Sequence, residues 1–270
     1  GSGLSSSAAC EVLIGTTGNH LFCQDKFDAV EIAKIGQAAE NEYFGKPCGL
    51  MDQTASSVGD AVAIDFKDPA NPVVRAINAD LAGLGLALCI IDCGADHAAL
   101  TNEYASIPEE MCKVAAHFGK KVLREVKEEE LLADLAQVRK EAGDRAVLRA
   151  LHFYADDRRA AEEADALERK DKEAFLNLVK ESGRSSWELL QNITPAAAIT
   201  HQDMAVALTV AEKALNGKGA CRVHGGGFAG TIQAFVPVED VCEFKKTMET
   251  MLSEGCCHVL SIRPAGGLIL

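Results

Sequence analysis

Gly1-Ser2-Gly3-Leu4-Ser5-Ser6-Ser7-Ala8-Ala9 opens the chain as a loop of small residues that runs directly into helical spacing. Ala9, Val12, Leu13, Thr16 and Leu21 recur at the interval of one helix face. The first turn of a helix presents backbone N–H groups without intrahelical partners, together with a partial positive charge. Glycine and serine let that backbone come close to an anion, and serine hydroxyls add donors or a ligand for Mg2+. The same composition also suits a serine-rich cap on an ordinary helix, so the loop alone leaves both readings open.

Beyond the loop, helices and short strands follow one another. Asp28 is placed to cap a second helix, with Ile32, Ile35, Ala39 and Tyr43 on one face and Gly45 and Pro47 as its stop. Residues 61–66 and 73–77 read as strands joined by a turn that holds Asp68-Pro69 and Asn71-Pro72. Residues 86–92 are an apolar run suited to a buried strand. A long helical stretch covers 98–180. Its charge runs, Glu128-Glu129-Glu130 and Asp156-Asp157-Arg158-Arg159, read as solvated helix faces. A helix over 200–216 stops at the glycines of 217–219. Strands over 220–223 and 231–236 flank a glycine turn, and a helix over 238–252 and a strand over 258–262 follow. That closing order suggests a split βαβ, ferredoxin-like layer.

The 270 residues suffice for one large domain or two modest ones, and 48% apolar with 25% charged residues is a globular balance. A net charge of −13 disfavours a nucleic-acid partner. It leaves a nucleotide possible, because such sites rely on local backbone donors and a metal. No apolar run approaches the roughly 18–20 residues of a membrane helix, and no stretch reads as a signal peptide. The expectation is a cytoplasmic protein without membrane contact. The ten cysteines form no CxxC pair and no cluster with histidine, so they read as buried free thiols.

Two further stretches carry chemistry. Glu40 lies in Ala39-Glu40-Asn41-Glu42-Tyr43-Phe44-Gly45, and Asp52 in Cys48-Gly49-Leu50-Met51-Asp52-Gln53. Mg2+ takes one or two carboxylates along with phosphate oxygens. An aspartate that follows a glycine turn in an apolar setting can accept a proton from a substrate hydroxyl. A capping or surface carboxylate is the alternative for each. Arg222-Val223-His224-Gly225-Gly226-Gly227-Phe228-Ala229-Gly230 places three consecutive glycines between two strands. Such a turn is unfavourable in chain entropy and is used where backbone must approach something closely, a phosphate or a neighbouring part of the sheet.

In this order the stretches resemble the GHMP kinases, and within them galactokinase. Residues 3–8 match the phosphate-binding second motif of that superfamily. Ala39-Glu40-Asn41 followed by Cys48-Gly49-Leu50-Met51-Asp52-Gln53 resembles the galactokinase stretch with the magnesium ligand and the catalytic aspartate. Residues 222–231 resemble the third motif, and Asn102-Glu103-Tyr104 resembles the segment whose tyrosine lines the sugar pocket. The likeness runs along essentially the whole chain.

It implies an α+β, two-domain GHMP kinase fold. Residues 1–80 would be the remainder of a ribosomal-S5-like amino-terminal ATP-binding domain, and 81–270 a ferredoxin-like domain with extra helices. It further implies that Gly1, Gly3, Leu4, Ser5, Ser6, Ser7 and Ala8 bind ATP, with Gly225, Gly226 and Gly227 bracing the nucleotide loop. Ser7 (or Ser6) and Glu40 would hold Mg2+. Asp52 would be the catalytic base, or the charge that activates the anomeric hydroxyl, and Gly49, Asp52 and Tyr104 would contact the sugar. ATP and a small-molecule sugar are the partners implied.

The departures concern specificity. Galactokinases carry paired arginines after the tyrosine, whereas this chain has Ala105-Ser106-Ile107-Pro108-Glu109-Glu110. His224 stands where threonine is usual, and Ser185-Ser186-Trp187-Glu188 occurs where an Asp-Asp pair is usual. The family's first motif, which grips sugar hydroxyls, has no counterpart, so the expectation is a fragment that does not itself phosphorylate sugar. For the parent protein the expected reaction is phosphorylation of galactose at its anomeric hydroxyl. The alternatives are a kinase for another sugar such as N-acetylgalactosamine, a kinase for a non-sugar alcohol, or a non-catalytic galactose sensor.

Overall fold

A computed structural model describes residues 5–45, 48–94 and 100–269, which form two compact units. The first holds Gly1–Asp80 and Ser261–Leu270, and the second holds Leu81–Leu260. A linear division at residue 80 leaves the last ten residues in the second unit. They instead return to the first, where Asp60 N donates to Arg263 O at 2.8 Å.

In the first unit, helices α1 (Ser6–Cys23), α2 (Ala29–Ala38) and α3 (Met51–Val58) pack on one another. A two-stranded antiparallel hairpin follows, β1 (Ala61–Asp65) with β2 (Val73–Ile77), in the register Ala61 opposite Ile77. Asp28 caps α2 as its position suggests. Its carboxylate accepts from Glu31 N at 2.8 Å while Glu31 accepts from Asp28 N, a reciprocal capping box.

The inward faces of α1 and α2 differ from the sequence expectation. On α1, Ala8, Val12 and Asn19 are buried, whereas Leu13 and Leu21 are exposed. On α2, Ile32, Ala33, Gly36 and, four residues on, Glu40 turn inward, while Ile35 and Tyr43 face out. Ala39–Tyr43 is a π-turn, whose wider winding takes the residues after α2 off its period and leaves Tyr43 facing out. Pro47, part of the expected stop, lies outside the described residues.

The second unit is built on a four-stranded sheet of β3 (Leu86–Asp92), β4 (Ala220–Val223), β5 (Thr231–Pro237) and β6 (Cys257–Leu260). The order is β4-β5-β3-β6 and every pairing is antiparallel, the arrangement of a ferredoxin-like sheet. Central β3 buries Leu86, Cys89, Ile90 and Ile91, as its apolar run requires. The expected long helical stretch divides into α4 (Thr101–His117), α5 (Glu128–Ala133), α6 (Leu135–Ala142), α7 (Asp144–Glu168) and α8 (Lys172–Ser185). Breaks fall at Gly119 and Gly143, both with positive φ. Helix α9 (Asp203–Leu215) and helix α10 (Val241–Met251) pack with the sheet around Met204, Leu208, Phe244 and Met248.

One charge run does more than face solvent. Asp156 accepts from Ser182 Oγ at 2.7 Å and from Arg159 Nε at 3.0 Å, tying α7 to α8. Beside it Arg149 is fully buried, donating to Glu110 at 3.0 Å, Ser106 at 2.9 Å and the carbonyl of Leu190 at 3.1 Å. All ten cysteines are free, but Cys10, Cys112 and Cys242 are exposed rather than buried.

Candidate active site

The residues singled out by sequence fall into two clusters, one in each unit. In the first, Gly1, Gly3 and Leu4 lie outside the described residues. Ser5 precedes α1 in a left-handed conformation (φ 53°, ψ 52°) and makes no side-chain cap. Its hydroxyl donates instead to Asp52 Oδ2, 47 residues away, at 2.5 Å. A short bond of this kind is characteristic of a hydroxyl on a carboxylate. Ser6 and Ser7 begin α1 and are exposed, whereas the Ala8 side chain is buried in the helix packing. The first helical bond runs from Ala9 N to Ser5 O. The amides of Ser6, Ser7 and Ala8 therefore have no partner within the helix.

Asp52 lies in the first turn of α3 and is exposed. Gly49 precedes that helix, and a Cβ built on it would meet nothing within 4 Å. Its lack of a side chain answers to no packing need among the described residues.

Glu40 is buried on the π-turn that follows α2. It accepts from Gln53 Nε2 at 3.1 Å, and the same nitrogen donates to Glu11 Oε2 at 3.1 Å. Gln53 is itself buried, and its Oε1 has no hydrogen-bond partner among the described residues. The Cys48 thiol sits 3.5 Å from Gln53 Nε2, and burial, then the neighbouring Glu40, push its pKa up. No group of three or more His, Cys, Asp or Glu side chains among the described residues is arranged to hold a metal. The donors present do fit Mg2+, which takes one or two carboxylates and completes its shell with phosphate oxygens and water.

In the second unit the glycine turn joins β4 to β5 and is held from two sides. Gly227 has φ +83°, and a Cβ there would overlap the carbonyl and side chain of Asn192. Asn192 is buried; its Nδ2 donates to Gly226 O at 3.1 Å and its carbonyl accepts from Phe228 N at 2.5 Å. From α4, Tyr104 donates its hydroxyl to Gly227 O at 2.8 Å and meets Phe228 edge-to-face at 5.5 Å. A Cβ on Gly226 would lie 2.9 Å from the tyrosine ring. Burial raises the Tyr104 phenol pKa. His224 bonds Thr231 across the turn at 2.9 Å, the geometry of a strand-end histidine.

Sequence reasoning missed Glu11, Gln53 and Asn192. Glu11 stands four residues after Ser7 and so shares its helix face, a spacing that could have flagged it. Asn192 left no such signal, because its partner is 34 residues away. A cavity of about 480 Å3 bounded by Trp187, Leu208, Leu215 and Cys221 also opens in the second unit, and none of the candidate site residues lines it.

Residues 1–60 match the GHMP kinases N terminal domain. The chain is 33% identical over 255 residues to galactokinase of Glaesserella parasuis serovar 5 (strain SH0165), a match that covers 91% of this chain and 61% of that one. In three dimensions it is similar to Lactococcus lactis galactokinase complexed with galactose, with a TM-score of 0.75 at 24% identity, over 100% of this chain and 68% of that one. The chain carries the GHMP kinase fold, and it resembles galactokinase. The fold also relates it to L. major mevalonate kinase, with a TM-score of 0.61 at 13% identity, over 98% of this chain and 68% of that one. The chain spans 61% of the length of that galactokinase relative. Among the described residues no helix is long and apolar enough to cross a membrane.

Proposed function

We propose that the whole protein to which this chain belongs phosphorylates galactose at its anomeric hydroxyl, with ATP as phosphoryl donor. The observation that carries this reading is the Ser5–Asp52 hydrogen bond. It ties the start of α1, where free amides can take phosphate oxygens, to a carboxylate able to take a proton. In the proposed step Asp52 accepts the proton of the anomeric hydroxyl. The sugar oxygen forms the new bond to the γ-phosphorus, and the bond from that phosphorus to the bridging oxygen breaks, releasing ADP. The backbone of Ser5, Ser6, Ser7 and Ala8 cradles the phosphates, and Gly49 positions the sugar beside Asp52. Ser7 and Glu40 would hold Mg2+, which when bound offsets charge on the phosphate oxygens. With little covalent chemistry left to the protein, positioning and charge neutralisation carry most of the rate.

A second reading keeps the kinase and changes the acceptor to another sugar or a non-sugar alcohol. Its basis is α4, where Glu110 occurs in the stretch after Tyr104 and pairs with Arg145 and Arg149, in place of the paired arginines of galactokinases.

The test is phosphoryl transfer from Mg2+-ATP to galactose, N-acetylgalactosamine, glucose, arabinose and mevalonate, by this chain and by the gene product at the length of its relatives. Galactose turnover that falls about 10²- to 10⁴-fold in Asp52→Asn is the expected result. Turnover of a different acceptor moves the specificity to the second reading. ATP binding without transfer to any of them contradicts the galactose reading.

A further inference from the structure

We infer that the cavity between α8, β4 and α9 binds a small organic carboxylate with an apolar body, its head group taken by Arg222 and Arg184. The inference is independent of the kinase reading, because none of the candidate site residues lines this cavity.

β4 is the terminal strand of its sheet, and α8 and α9 both pack against it. His224 N donates to Thr231 O at 3.1 Å, in register with the pairs Arg222–Gln233 and Ala220–Phe235. Bonded and unbonded pairs alternate in an antiparallel ladder, so the N–H and C=O of Cys221 point away from β5, toward the open edge of the sheet. The cavity lies at that edge and measures about 480 Å3, the size of a small-molecule site.

Its wall carries a cation whose donors are unmet. Arg222 is half-buried, and its Nε is shut off from solvent without a hydrogen bond among the described residues. Gly183 lets the arginine stem lie against α8: a Cβ there would stand 3.0 Å from Arg222 Cβ. Glu163 is a carboxyl that senses Arg222, but burial pushes it up to about 7, and no hydrogen bond joins the two. A buried guanidinium donor left unpaired is costly, and a carboxylate is its ordinary partner, through two parallel N–H···O bonds.

The other charges on the wall leave that demand in place. Lys180 already donates to Gly217 O at 3.2 Å. Glu188 and Glu212 are exposed, so water satisfies them. Arg184, also exposed, adds a second cation from α8. Trp187, on the π-turn Ser186–Leu190, and Leu208 and Leu215 of α9 offer apolar surface to the rest of the ligand.

Trp187 is the one tryptophan of the chain, so its fluorescence reads this cavity directly. The experiment titrates phenylbutyrate, phenylbutyramide and phenylbutylamine into the parent chain, Arg222→Met and Arg184→Gln, with the thermal midpoint read alongside. Phenylbutyrate is expected to change the Trp187 emission saturably in the parent. Its affinity should fall about 10- to 100-fold in Arg222→Met. Arg184→Gln, a change on an exposed helix face, should weaken it in the same direction. The amide and the amine should bind about 10-fold or more weakly than the acid. Should Arg222→Met fail to fold, Arg184→Gln and the comparison of acid with amide decide. Equal affinity for acid and amide overturns the inference, as does parental affinity for the acid in both arginine variants. So does a parent chain whose emission shows no saturable change at millimolar phenylbutyrate.

Discussion

At the residue scale, Tyr104 illustrates how one side chain can serve the frame of a site. Its hydroxyl donates to the carbonyl of buried Gly227 at 2.8 Å, and its ring packs on Gly226 and Phe228. Tyr104→Phe would leave that carbonyl without this donor. The expected loss of stability is about 1–2 kcal/mol, measured by urea unfolding. A tyrosine that acts only on the sugar would leave unfolding unchanged. Ser5 is the counterpart in the first unit. A serine in the left-handed region is unusual, and here the conformation accompanies a hydroxyl turned to Asp52 rather than to the helix amides.

At the scale of elements, the seam of α7, α8 and β4 is a buried polar network with an opposed pH response. His152 bonds Ser185 Oγ at 2.9 Å, and burial lowers its pKa, so it is held neutral. Glu163 is pushed up to about 7 by burial; Arg222 lowers it, Asp156 raises it and Arg159 lowers it. The folded form therefore favours the protonated carboxyl. Its contribution to stability is complete below the unfolded value of 4.5 and is lost as pH rises through about 7. Glu163→Gln removes that loss. Chemical unfolding at pH 5 should match the parent, whereas at pH 8 the variant should be the more stable. A variant no more stable than the parent at pH 8 would show that Glu163 is ionised in the fold at ordinary cost.

At the scale of the whole molecule, exposed apolar surface is the notable feature. Leu13 (62%), Ile14 (67%), Leu21 (64%) and Phe22 (83%) of α1 all lie open. Ile14 and Leu21, seven residues apart, share one side of that helix, and Leu13 and Phe22 flank it. A contiguous apolar stripe of this kind marks a surface that associates or aggregates. The chain is expected to self-associate with rising concentration in sedimentation and to bind an environment-sensitive dye. Ile14→Glu with Leu21→Glu should reduce both without lowering the melting temperature. A chain that stays monodisperse and dye-free at every concentration contradicts this.

Local chemistry made much of the protein legible in the linear chain. The apolar run at β3, the capping aspartate of α2, the glycine turn before β5 and the α+β order of elements each depend on residues close in sequence. So do the motif stretches that resemble the GHMP kinases, because phosphate loops and turns are built from contiguous backbone. What depended on distant partners was not legible. The π-turn left Tyr43 outside, against the simple helical period. The bond between Ser5 and Asp52, the shared amide that gathers Glu11 and Glu40, and the clamp of Asn192 and Tyr104 on Gly226 and Gly227 join residues 13 to 123 positions apart. Spacing along a chain encodes which residues share a face of one helix or strand; which faces meet, and which polar atoms are then buried together, is settled only when the helices and sheets pack.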